Sequence, residues 1–172
     1  MDLVDPEFPL TELVGIFACL LASAFFSASE TALTSISDGR ARTLIATQPE
    51  RFGVLDFWLK NKRRILACLL VGNNAVNILC SVLAYRLALV FIPNFAEAFS
   101  VFGLTIVVLI FAEITPKSLA MQYAESMVST VLRFIWVIDK VLYLVTVPLS
   151  RIPAFIVRNS QEYSDEPPVT ED

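Results

Sequence analysis

Three apolar stretches within 172 residues predict an all-α membrane protein. It has three transmembrane helices, short amphipathic helices on the cytoplasmic side and a juxtamembrane helix. From Leu13 to Ser37 there is one charged residue, Glu30; from Ile65 to Tyr85 there is none; from Ala98 to Pro116 there is one, Glu113. Each stretch approaches or exceeds the ~20 residues that cross a ~30 Å hydrocarbon core as a helix. Composition agrees. The chain is 56% hydrophobic and 17% charged, whereas a soluble domain has roughly 25% charged and 45–50% apolar residues. Burying three such stretches would leave a soluble protein almost no surface.

The elements follow in order. Residues 1–9 are acidic and are read as an extracellular N-terminal segment. A signal peptide opens on a basic region, so the first span, about residues 10–37, is expected to be retained. Asp38-Gly39-Arg40 is expected to end it, with glycine as the helix-ending residue. Between Arg40 and Arg64, the apolar residues Leu44, Ile45, Leu55, Trp58 and Leu59 recur at helical spacing. This segment reads as two short amphipathic helices parted near Gln48-Pro49. The second span covers about 65–91, Pro93-Asn94 make a turn, and the third span covers about 98–123.

A less regular stretch follows, at about 126–147. It is apolar but carries Arg133, Asp139 and Lys140, with Ser126, Thr130, Arg133 and Lys140 on one side. Three mid-helix charges are expensive in hydrocarbon. We therefore read an amphipathic juxtamembrane helix on the cytoplasmic surface rather than a fourth span, with Trp136 and Tyr143 as interface anchors. Pro148 and Pro153 are expected to break it. The polar, acidic residues 161–172 read as a linker, and residues 10–160 as the transmembrane domain.

Charge sets the expected topology. Arg40, Arg42, Arg51, Lys60, Lys62, Arg63 and Arg64 cluster between the first two spans, and the Pro93–Glu97 turn has no basic residue. The positive-inside rule then places the N-terminus and that turn outside, and the basic segment and C-terminus in the cytoplasm. The chain is thus expected to be a multi-pass protein of the plasma membrane.

Other features narrow the function. A formal net charge of −4 points to no nucleic-acid partner, and the absence of His removes the usual proton shuttle. Cys19, Cys68 and Cys80 lie in apolar stretches and read as small buried hydrophobes. No nucleophile–base pair or metal-ligand helix motif suggests an enzyme.

Polar groups inside spans are costly and mark functional candidates. In the first span Ser23, Ser27 and Thr31 share a helix face at i, i+4, i+8. They suit either cation coordination or close helix packing. In the second, Gly72-Asn73-Asn74 and Asn77 place three carboxamides mid-span. Gly and Asn are poor helix formers, so the helix is expected to unwind there and free its carbonyls as ligands; the alternative is an amide contact between helices. In the third, Pro116 cannot donate to the Ala112 carbonyl, so a kink or break is expected beside Glu113. Glu113 needs a partner: a cation, a proton, or Lys117 at i+4. Lys117 can equally snorkel to the interface. Hydroxyl, carboxamide, carbonyl and carboxylate oxygens suit hard ions such as Mg²⁺, Ca²⁺, Mn²⁺ or Na⁺.

In this order the clusters resemble the membrane domain of the CorC/cyclin-M (CNNM) family of magnesium transporters. The matching pieces are Ser23-x-x-Phe26-Ser27, Gly72-Asn73-x-x-x-Asn77 and Glu113-Ile114-x-Pro116-Lys117. The resemblance covers nearly the whole chain. It implies a homodimer in the lipid bilayer, with an ion site inside each subunit, exporting Mg²⁺ with Na⁺ as coupling ion. Carried over by motif, Ser23 and Ser27 supply hydroxyls, Asn73 and Asn77 carboxamides, Gly72 a carbonyl and Glu113 the carboxylate. Glu30, Thr31, Asn74, Pro116 and Lys117 are further candidates. Animal members have Asn where this chain has Glu30, which leaves Glu30 open as a second cation ligand, a Na⁺ site or a partner for a basic residue. The tail from Glu166 to Asp172 resembles the linker into the family's cytosolic CBS domains, so the chain is read as the membrane part of a longer protein. The competing class is a membrane anchor and dimerisation module for those domains, with no transport of its own.

Overall fold

The structure, a computed structural model, describes residues 9–162, all helical apart from short connections. The expected N-terminal segment and most of the acidic linker lie outside the described residues. Helix α1 spans Leu10–Ser35, α2 Asp38–Thr47, α3 Pro49–Phe52 and α4 Leu55–Phe91. A span covering Pro93–Gln122, here α5, combines α, 3₁₀ and π segments, and α6 covers Ala124–Glu162. Among the described residues, three helical segments are long and apolar enough to cross a membrane: Leu10–Ser35, Pro49–Phe91 and Pro93–Gln122.

Local chemistry explains the boundaries and corrects three expectations. Gly39 does not end the first helix. It lies in the first turn of α2, and no described residue has a positive φ. The boundary is set instead by Ser37, whose hydroxyl caps α2 by accepting from the Arg40 N–H at 3.3 Å. The second amphipathic helix is not separate either. Leu55 and Trp58 are buried with Leu44 and Phe52, so the same helix runs on into the second span. At 37 residues α4 is about 55 Å long. Its one irregular residue is Asn61 (φ −127°, ψ 24°), whose side chain donates back to the Phe57 carbonyl at 2.9 Å and competes with the helical ladder. Finally, α6 continues through Pro148 and Pro153 to Glu162. Each proline removes one ladder bond, which a 39-residue helix absorbs without stopping.

Helix α1 packs against both α4 and α5. The apolar interior falls into two clusters. Towards the Pro93 turn lie Cys19, Cys80, Ala84 and Leu104, with Val76 and Val108 against them. Towards the basic connection lie Phe26, Leu33, Leu55, Trp58, Ile65, Leu69 and Ala120, joined by Val128, Leu132 and Ile135 of α6. Thus α6 buries one face on the bundle and exposes Arg133, Trp136, Val137, Lys140 and Tyr143 on the other. Arg40 of α2 holds Glu125 at the start of α6 through bonds of 2.6 and 2.8 Å, which keep the Glu125 carboxyl below its usual range. Lys62 pairs with Asp38 at the same end, and Glu12 meets Arg86 at 3.1 Å at the other.

The helix does not unwind at Gly72. Its backbone is regular there, and the glycine serves close packing: a Cβ would fall 2.5 Å from Phe26 Cε1 and Cζ. Gly72→Val is expected to cost about 1–3 kcal/mol by overpacking. The thermal unfolding midpoint in detergent reports this; an unchanged midpoint would mean that Phe26 is free to move aside.

Candidate ion site

Between the two apolar clusters lies a polar layer. Read along α1, residues of the first cluster (Cys19, Leu20) give way to Ser23 and Ser27, then to the second (Ala32, Leu33). Along α4 the order reverses: Ile65 and Leu69, then Asn73 and Asn77, then Cys80 and Ala84. Along α5 it is Leu104 and Val108, then Glu113, then Ala120. Antiparallel neighbours thus bring all three polar motifs to one level.

Contacts within the layer are specific. Ser23, 1% exposed, donates its hydroxyl to Asn73 Oδ1 at 2.9 Å, joining α1 to α4. Ser27 is equally buried, and its Oγ has no hydrogen-bond partner. Asn77 Oδ1 is likewise buried and unpartnered. A buried polar atom left unpaired costs about 1–3 kcal/mol; Trp58 Nε1, Arg64 Nε, Ser129 Oγ, Asp139 Oδ1 and Thr146 Oγ1 are unpartnered elsewhere in the fold, and Ser27 and Asn77 are the two that fall on the polar motifs.

Asn77 and Glu113 line one cleft of about 230 Å³ with Ser81, Leu104, Thr105, Val108 and Leu109. That is room for a small cation together with several waters. Ser81 and Thr105 were not legible as site residues. Both hydroxyls donate to their own helices, to the Asn77 and Val101 carbonyls, a pattern common enough in helices to carry no functional signal.

Helix α5 supplies Glu113 from a π segment, Val108–Ile114. The Thr115 N–H bonds to the Ile110 carbonyl, five residues back. The break expected at Pro116 is therefore expressed as a widened turn just before it, with Pro116 in the first turn of the next α segment. Such π-bulges concentrate at functional sites.

The remaining candidates separate from this layer. Glu113 has no ion-pair partner among the described residues; Lys117 instead approaches Glu30 of α1 at 3.9 Å. Of the three readings of Glu30, the basic-partner one fits the geometry. Thr31 donates to the Ser27 carbonyl at 3.2 Å, and Asn74 donates to the Leu70 carbonyl from the exposed face of α4. Gly72 is buried against Phe26 with its carbonyl in regular helix. Among the described residues, no three His, Cys, Asp or Glu side chains cluster as a tight metal site. The layer offers one carboxylate with neutral oxygens, a donor set for a weakly held ion.

Comparison with known proteins decides the family. Residues 14–172 match the domain described as the cyclin M transmembrane N-terminal domain. The chain belongs to the cyclin M transmembrane family. It is 30% identical over 91% of its length to a DUF21 domain-containing protein of Arabidopsis thaliana described as chloroplastic. It is 34% identical over 68% of its length to a UPF0053 protein of Haemophilus influenzae, and 34% identical over 60% to the UPF0053 inner membrane protein YfjD of Escherichia coli. The chain spans about a quarter of the length of these curated relatives, 24% to 28%.

Proposed function

We propose that this domain carries Mg²⁺ across the membrane, binding it in the polar layer between α1, α4 and α5. The observation that carries the reading is the buried, unpartnered Asn77 Oδ1 in the cleft that Glu113 also lines; Ser27 Oγ, likewise unpartnered, lies on α1 outside the residues lining that cleft. With no water in the bilayer core to satisfy them, such atoms are tolerated where a ligand visits. Ser27 and Asn77 would supply neutral oxygens, Glu113 the charge, and the Ser23–Asn73 bond would hold α1 and α4 in register. Mg²⁺ keeps several waters when bound through few carboxylates, as the volume of the cleft allows.

The ion enters from the cytoplasmic side, where the basic connection lies by the positive-inside rule. It leaves outward as α5 tilts about its π segment, while Na⁺ moving inward supplies the energy. With Gly72 packed rigidly, the compliant points are Val108–Ile114 and Asn61. The working unit is a homodimer in the plasma membrane, carrying cytosolic CBS domains in the rest of the longer protein.

Anchor and dimerisation is the second reading, and the Ser23–Asn73 bond is what packing glue would look like. The unpartnered oxygens favour transport. The test is Mg²⁺ efflux from liposomes containing the purified protein, measured with a Na⁺ gradient in each direction. Efflux that rises with the favourable gradient is expected. A folded protein that moves no Mg²⁺ under either gradient would sink the transport reading.

A further inference from the structure

Arg133 and Lys140 of α6 stand exposed two turns apart. Neither has a carboxylate within ion-pair distance among the described residues, as is also true of Arg42, Arg51 and Arg63 in the basic connection, whereas Arg40, Lys60, Lys62, Arg64, Arg86 and Lys117 do. Lys140 lies 3.4 Å above the ring of Trp136, which fixes its position without neutralising it. Trp136 and Tyr143 are 46% and 50% exposed on the same side, as aromatic residues are at a membrane interface.

Beside them runs a groove of about 500 Å³ lined by Val54, Phe57, Trp136 and Val137, with Arg133 as its one charged residue. An apolar slot with a cation at its rim, next to a second cation on an aromatic ring, matches one chemistry: an acyl chain beneath a negative headgroup.

We propose that this groove binds an anionic phospholipid, its headgroup between Arg133 and Lys140 and its chain against Val54, Phe57 and Val137. Charge complementarity selects the occupant. A zwitterionic lipid would leave the positive charge uncompensated. A second copy of this surface would bring four cations together. The inference does not depend on which ion the polar layer carries.

The chain has two tryptophans, and Trp58 is 3% exposed in the core, so Trp58→Phe leaves Trp136 as the sole reporter. This variant is placed in vesicles of equal parts phosphatidylglycerol and phosphatidylcholine, with brominated chains on one lipid or the other. A basic residue near the surface contributes about a five-fold preference for an anionic lipid. Trp136 quenching should therefore favour brominated phosphatidylglycerol at least about five-fold. The preference should vanish when Arg133→Gln and Lys140→Gln are added, and should survive Arg133→Lys with Lys140→Arg. Equal quenching by the two lipids, a preference that persists without the two charges, or no quenching by either because protein covers the groove, would each overturn the proposal.

Discussion

Glu113→Gln is expected to abolish Mg²⁺ transport while leaving the fold intact. Glutamine keeps the shape of the side chain and its oxygen, and removes only the charge. Two unit charges about 4 Å apart at an effective dielectric of about 20 attract by about 4 kcal/mol, and a divalent ion doubles this. Even a third of that, about 2.7 kcal/mol, is roughly a hundred-fold in affinity. Glu113 has no protein counter-charge to lose among the described residues, so its removal does not orphan a cation, and the unfolding midpoint should hold. Glu30→Gln is the contrast. Glu30 is about half exposed and pairs loosely with Lys117 at 3.9 Å, a kind of pair worth about 0–1 kcal/mol. Efflux from liposomes should fall by at least about a hundred-fold in the first variant and by no more than about five-fold in the second. Equal losses would return Glu30 to the ion path.

The largest effect on stability is expected at Asp139→Ala. Asp139 is 3% exposed and meets Arg64 of α4 at 3.0 Å. Arg64 also lies over the rings of Phe57 and Tyr143, so it is held in place on three sides. Removing the carboxylate leaves a largely buried guanidinium without its counter-charge, which costs about 3–5 kcal/mol. The thermal unfolding midpoint of the detergent-solubilised protein should drop sharply. Asp139→Ala with Arg64→Met should recover much of the loss, since an apolar pair of similar volume often matches a buried ion pair. A single variant as stable as wild type would mean that water reaches Arg64 at this junction.

This pair also shows where the sequence stops being readable. The three spans were visible because gaps in charge are local. The three polar motifs were visible because Ser, Asn and Glu are conspicuous inside apolar runs. Asp139 reads in sequence only as a cost against membrane insertion; its partner is 75 positions away, and no local rule connects them. The same distance problem hides Gly72. Next to asparagines it suggests a broken helix, yet its role depends on Phe26 of another helix. Pro116 and the prolines of α6 gave the right kind of irregularity but the wrong form. A helix can widen into a π turn or lose single bonds without stopping, and the choice depends on what packs around it. Ser81 and Thr105 reach the cleft through the register between α4 and α5, which periodicity along one helix does not determine.

The central claim, a cation site in the polar layer, is tested most directly by calorimetric titration of Mg²⁺ into the detergent-purified protein beside Glu113→Gln, with and without Na⁺. Saturable binding in the wild type, lost in the variant and altered by Na⁺, is the predicted result. A folded wild type that gives no heat of binding, or a variant that binds as well as the wild type, would contradict it and leave the layer as packing between helices of a membrane anchor.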